Sequence, residues 1–133
     1  MSADRYLLDT SAILTLMEDE DGADRVEEIL RQGQVLLPFP VLLETYYISL
    51  QERGEPIADE RYALLRHLSA TEIWSVDEPT LLAAARLKAR FRVSFADALI
   101  AAFAVQNHAI LVHKDPEIEL LADQVHQETL PYK

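Results

Sequence analysis

The chain contains no cysteine, so disulfides and thiolate metal sites are excluded outright. It has only three glycines and six prolines in 133 residues, the composition of a compact globular protein and not of a disordered one. Positive charge is scarce: 12 Lys plus Arg stand against 23 Asp plus Glu, for a formal net charge of −11. That balance argues against a protein that grips a polyanion through a broad basic face. It leaves room for one that meets a polyanion through bound metal ions. Long apolar runs are also missing. The longest, Ala98 to Val105, falls far short of the ~20 residues a membrane span needs. Tyr6-Leu7-Leu8 is the only apolar stretch before Asp9, too short for a secretory leader. The expectation is therefore a cytoplasmic protein with no membrane association.

What is present is a half-hydrophobic composition at a length that supports one domain with a real core, residues 1–133. An acidic run, Glu18, Asp19, Glu20, Asp21, Asp24, Glu27 and Glu28, reads as a solvated helix face, with Ala23, Val26, Ile29 and Leu30 as the apolar stripe opposite. Short apolar runs alternate with helical stripes. Strands are expected at Tyr6–Leu8, Val35–Leu37, Glu72–Val76, Ala109–Val112 and, at an edge, Glu128–Leu130. Helices are expected over Ala12–Met17, Gly22–Gln32 with Gly33 ending it, and Val41–Arg53 with Pro40 starting it and Gly54 ending it. Further helices are expected over Ile57–Leu68, from an Asp77 cap to Phe91, from a Ser94 cap to Asn107, and over Pro116–Ala122. In the fourth of these, Ala58, Tyr62, Leu65 and Leu68 would form the inner face. Nearly continuous apolar strands alternating with helices predict an α/β fold, with a parallel sheet of about five strands flanked by helices on both faces.

In such sheets ligands collect beyond the carboxyl ends of the strands, where strand order reverses. Asp9 directly follows the first strand and Asp115 the fourth. Glu44 lies one turn into the helix after the second strand, and Asp97 in the first turn of the helix before the fourth. Each acid also has a local reason to be there. Asp9 is a candidate helix cap. Glu44 is a lone acid among Val41, Leu42, Leu43, Thr45, Tyr46, Tyr47 and Ile48, where it needs solvent, an arginine or a cation. Asp97 sits three residues after Ser94 in a capping-box pattern. Asp115 can make an Asx turn before Pro116, and Glu117 reads as an exposed residue, with an auxiliary acid as the alternative. Jointly, the four acids fall where a parallel sheet would present them at one rim.

The segments Leu7-Leu8-Asp9-Thr10-Ser11-Ala12, Val41-Leu42-Leu43-Glu44, Phe95-Ala96-Asp97-Ala98-Leu99-Ile100-Ala101 and Leu111-Val112-His113-Lys114-Asp115-Pro116 resemble the four motifs of the PIN-domain family. They are most similar to the toxin halves of VapBC toxin–antitoxin pairs, and the resemblance runs through essentially the whole chain. It implies a five-stranded parallel sheet and Mg²⁺- or Mn²⁺-dependent endoribonuclease activity, with metal-activated water hydrolysing RNA phosphodiester bonds. It also implies a homodimer inhibited by a cognate antitoxin. By position, Asp9, Glu44, Asp97 and Asp115 match the family's acidic quartet, and Ser11 matches its small hydroxyl residue. His113 departs from the pattern, since many members carry Thr there.

Hard divalent cations take oxygen ligands, so this chemistry needs carboxylates. Asp9, Asp97 and Asp115 are expected to hold the principal metal ion, and Glu44 to complete its shell or orient the attacking water. Ser11 is expected to hydrogen-bond a carboxylate or phosphate. Arg86, Lys88, Arg90, Arg92 and Lys114 form the basic cluster of the second half; Arg86, Arg90 and Lys114 are candidates for RNA phosphates, with a solvated surface as the alternative. His67, His108, His113 and His126 are too scattered for a histidine metal site and read as structural or exposed. Tyr46, Tyr47 and Trp74 read as core or subunit-interface residues rather than base-stacking platforms. Two rival functions remain: a catalytically silent PIN-like binding module, and a phosphoacceptor receiver domain using Asp77 or Glu78 after the third strand with Lys114.

Overall fold

A computed structural model describes residues 4–132. Strand β1 (Tyr6–Leu8) leads into helices α1 (Thr10–Met17) and α2 (Ala23–Gln32), then strand β2 (Val35–Pro38). Helices α3 (Phe39–Arg53) and α4 (Glu55–Arg66) precede strand β3 (Thr71–Ile73). Helices α5 (Glu78–Arg90) and α6 (Phe95–Gln106) precede β4 (Ile110–His113). A 3₁₀ helix (Pro116–Leu121) and strand β5 (Gln127–Thr129) complete the order. Local chemistry sets several of the boundaries. Gly33 ends α2 at φ +84°, a conformation that glycine adopts without Cβ strain. Pro40 occupies the first turn of α3, where its missing N–H is harmless. Asp77 caps α5 by accepting from the Thr80 N–H at 2.9 Å.

All five strands pair in parallel, in the order β3-β2-β1-β4-β5. From β1 the chain builds outward through β2 to β3. It then returns to lay β4 against the other side of β1, in register Leu7↔Leu111 and Leu8↔Val112. The order therefore reverses between β1 and β4, and a crevice opens beyond their carboxyl ends. Neighbouring residues of a strand point to opposite faces of the sheet. Since Leu7, Leu8, Leu111 and Val112 are all fully buried, both faces of these central strands are covered. Ile13, Ile29, Leu37, Ile100 and Phe103 fill the layers around them. Phe39 and Phe103 meet edge to face, with centroids 6.2 Å apart.

Several expectations shift. The third strand covers Thr71–Ile73 instead of Glu72–Val76, because it pairs only with β2 at the sheet edge and Trp74 is 54 % exposed. The fourth helix runs two residues earlier than Ile57–Leu68, starting at Glu55 with Pro56 in its first turn, so Leu68 lies beyond it. Strand β4 extends to His113, and Pro116–Leu121 is a 3₁₀ helix. The acidic run is not one solvated face. Glu18 receives Arg53 at 2.6 Å and Arg61 at 2.7 Å, and residues 18–22 form the connection between α1 and α2. Buried Arg61 also donates to Ser49 Oγ at 3.3 Å, which ties α4 to α3 and to the end of α1. Neither Tyr47 nor Trp74 is in the core. No helix among the described residues is long and apolar enough to cross a membrane.

Candidate active site

Asp9 leaves β1 with its N–H donated to Val112 O at 3.1 Å, so its backbone is fixed at the β1/β4 crevice. Its Oδ1 caps α1, accepting from the Ala12 N–H at 2.9 Å and from Ser11 Oγ at 2.7 Å. Ser11 Oγ accepts in turn from the Lys114 N–H at 2.8 Å. One hydroxyl thus joins the turn after β1 to the turn after β4. Thr10, which sequence reasoning passed over, donates to Glu44 Oε1 at 2.6 Å. Tyr47, one turn further along α3, donates to Glu44 Oε2 at 3.4 Å.

On the other side, Ser94 Oγ accepts from the Asp97 N–H at 3.0 Å and starts α6. The cap fixes the backbone of Asp97. Asp115 accepts from the Glu117 N–H at Oδ1, 2.9 Å away, which is the expected Asx turn. The Asp9 cap, the Ser94 half of the capping box at Asp97 and the Asx turn at Asp115 are therefore real, and each coexists with a place at the shared rim.

Carboxylate oxygens of Asp97, Asp115 and Glu117 lie within 4.8 Å of one another. Glu117 is exposed, as its plainer reading had it, yet it joins this cluster, as neither Asp9 nor Glu44 does. The electrostatics connect the remaining two acids to it. Burial pushes the Asp9 carboxyl up to about 7, and the nearby charges of Asp97 and Asp115 add to the rise against the Ser11 and Ala12 hydrogen bonds. Burial likewise raises Asp97 to about 6, with Asp115, Glu44 and Glu117 contributing after it. The Tyr47 hydroxyl is raised by burial and then by Glu44 and Asp97. Among the described residues, no ion pair engages Asp9, Glu44, Asp97, Asp115 or Glu117. Crowded oxygen donors without a basic partner fit a hard divalent cation, which would relieve their repulsion.

Other assignments change in detail. Lys114 is not free for a phosphate. Its Nζ donates to Asp21 O at 2.8 Å and lies 3.6 Å from Glu20 Oε1, with its side chain 8 % exposed. Arg86 and Arg90 are exposed, as are His67, His108 and His126. His113 is buried, with both ring nitrogens hydrogen-bonded.

Residues 6–124 match the PIN domain family model, and the chain belongs to that family. No curated protein matches it in sequence. Among solved structures, it is similar to VapBC2 from Rickettsia felis, bound to a DNA fragment from its promoter. That match has a TM-score of 0.77 at 14 % identity and covers 95 % of this chain and 98 % of the other. It is also similar to VapC20 of Mycobacterium tuberculosis, a sarcin-ricin loop cleaving toxin, with a TM-score of 0.72 at 16 % identity, covering 95 % and 99 %. A third match is the toxin–antitoxin complex VapBC-5 of the same organism, with a TM-score of 0.63 at 21 % identity, covering 96 % and 98 %. The receiver-domain alternative falls with the fold. The observed strand order 3-2-1-4-5 differs from the 2-1-3-4-5 order of receiver-type sheets. Asp77 and Glu78 follow an edge strand, away from the β1/β4 crevice.

Proposed function

We propose that this protein is a Mg²⁺- or Mn²⁺-dependent endoribonuclease. We further propose that it is the toxin of a type II toxin–antitoxin pair, working in the cytoplasm as a single nuclease domain. The observation that carries this reading is the convergence of the Asp97, Asp115 and Glu117 carboxylates within 4.8 Å, with no ion pair to any of them among the described residues. When bound, a divalent ion supplies positive charge for the phosphodiester and activates water for attack on phosphorus. Asp97, Asp115 and Glu117 would hold it. Asp9, expected from the sequence as a ligand of the same ion, would present a fourth carboxylate from the floor of the crevice, held in place by Ser11 and the start of α1. Glu44, oriented by Thr10 and Tyr47, would accept a hydrogen bond from the attacking water. At neutral pH, where burial leaves Asp9 only partly ionised, the cation would favour its carboxylate form.

The partner reading follows from the same relatives. Solved structures that share this fold include toxin–antitoxin complexes, which supports a protein antitoxin for this chain. Exposed apolar side chains give it surfaces for association. Phe39, Leu43, Tyr46, Tyr62 and Trp74 line one groove, and Phe95, Leu81 and Leu99 line another that also reaches Phe39. A homodimer and an antitoxin each need such a face.

Isothermal titration of Mn²⁺ into the parent and Asp97→Asn should show binding weakened at least tenfold in the variant. RNA cleavage should require added metal and vanish when Asp9, Glu44, Asp97 and Asp115 are all made neutral, a variant that also exposes contaminating nuclease. Equal metal binding by parent and Asp97→Asn would overturn the assignment. Metal binding without cleavage of any RNA would favour the silent binding module.

A further inference from the structure

His113 closes β4 and is completely buried. Its Nδ1 accepts from the Asp115 backbone N–H at 3.1 Å. An accepting Nδ1 places the proton on Nε2. Nε2 therefore donates to Gln127 Oε1 at 2.9 Å, with Thr129 Oγ1 a further 3.3 Å neighbour. Gln127 spends its own amide N–H on Ile118 O at 2.7 Å, which fixes which way its side chain points. A continuous chain of hydrogen bonds thus runs from the 3₁₀ helix and β5, through the imidazole, into the backbone of Asp115. The Asp115 carboxylate is held from the other side by the Glu117 N–H. The turn carrying two of the three clustered acids is consequently anchored at both ends.

The geometry points to His113 as a positioning residue. By accepting the Asp115 N–H at Nδ1, and being held at Nε2 by Gln127, it aims the Asp115 and Glu117 carboxylates at Asp97. This rests on the nuclease reading, because it takes Asp115 as a metal ligand. Any buried imidazole must satisfy both nitrogens, so what bears on the site is which groups they bond. Here each nitrogen has a definite partner, and one of those partners belongs to the backbone of the acid itself. Groups behind the ligands of a metal site change its affinity by about 10–100-fold when removed.

The two nitrogens can be tested separately by Mn²⁺ titration at fixed pH, with folding followed by circular dichroism and urea denaturation. His113→Asn retains an acceptor near the position of Nδ1, and its Mn²⁺ affinity should stay within about threefold of the parent. His113→Gln reaches toward Gln127 but gives up the Asp115 acceptor, and should bind Mn²⁺ about tenfold more weakly. Gln127→Met leaves the ring in place without its anchor and should fall between the two. It also keeps the test decisive if a substitution at His113 does not fold. Equal affinities in all folded variants beside a metal-binding parent would overturn the positioning role. So would affinities that follow stability rather than the Nδ1 acceptor. A parent that binds no Mn²⁺ would instead overturn the nuclease reading itself.

Discussion

Replacing Asp9 with asparagine separates charge from shape in the crevice. The side chain is 3 % exposed, and asparagine keeps an oxygen to accept from Ala12 N and Ser11 Oγ. What it loses is a carboxyl that burial has pushed from its ordinary 3.8 to about 7. The folded protein holds that proton up to about pH 7, whereas the unfolded chain releases it near pH 4. Between those values the folded state binds more protons, so this contribution to stability is complete at acid pH and is lost as pH rises through 7. At 1.36 kcal/mol per pH unit, the full difference is about 4 kcal/mol. Roughly 2–3 kcal/mol of it falls between pH 5 and pH 8. In chelator, the stability advantage of Asp9→Asn over the parent should therefore grow by about that amount across the interval. Asp97 titrates in both proteins and largely cancels in the comparison. Urea denaturation followed by circular dichroism at pH 5, 6, 7 and 8 measures the advantage directly. Divalent metal at 100 times its dissociation constant should restore about 2.7 kcal/mol to the parent at pH 8, and much less to the variant. An advantage that stays flat from pH 5 to pH 8 would refute the argument that an ionised, uncompensated Asp9 strains the metal-free fold.

Other consequences concern neighbouring residues. Ser11→Ala removes the donor to Asp9 and the acceptor for Lys114 N–H, so it should cost about 1–3 kcal/mol in denaturation and weaken Mn²⁺ binding. Thr10→Val keeps the shape but leaves Glu44 held only by Tyr47; stability should change by only about 1 kcal/mol, while the rate of RNA cleavage at saturating metal falls more than metal affinity does. Phe103→Ala, at a 2 % exposed side chain packed on Phe39, should cost about 3–5 kcal/mol, and a smaller loss would show that the core collapses around the gap.

The central strands were legible in the sequence because burial on both faces leaves no polar position to confuse the pattern. Tyr6–Leu8 and the run ending at Val112 are of that kind. The edge strands were less so. Thr71–Ile73 is partly exposed, so its apolar pattern is diluted, and Trp74 read as strand although it lies outside the sheet. Asp9, Glu44, Asp97 and Asp115 could be picked out because each interrupts or borders an apolar stretch. Glu117 carries no such contrast, being one acid among several exposed ones after Pro116, and only the turn at Asp115 folds it back toward Asp97. Thr10 and His113 were hidden for another reason. Their roles are set by partners 34 residues away in the case of Glu44 and 14 in the case of Gln127, and sequence spacing does not reveal such pairings.

The charge distribution shows how so acidic a chain can be reconciled with a polyanionic substrate. Most basic residues are already committed: Arg25 to Glu28 and Glu128, Arg31 to Glu27, Arg53 and Arg61 to Glu18, Arg66 to Glu72, and Lys114 to Glu20. Arg5 donates to Asn107 O. Among the described residues, the cations in no ion pair beyond Arg5 are Arg86, Lys88, Arg90 and Arg92, all exposed and gathered at the end of α5 and just after it. The ion-paired cations therefore act mainly within the fold, and this one patch is the only basic surface among the described residues left to steer a polyanion. At the rim itself, Asp9, Glu44, Asp97, Asp115 and Glu117 repel a phosphodiester until a cation reverses the local sign. On the proposed function, binding of substrate would in this way be conditional on metal, and metal binding on the deprotonation of Asp9 and Asp97, which burial pushes up. The acidity of the chain is consistent with an enzyme whose affinity for RNA resides in its bound metal rather than in its own surface.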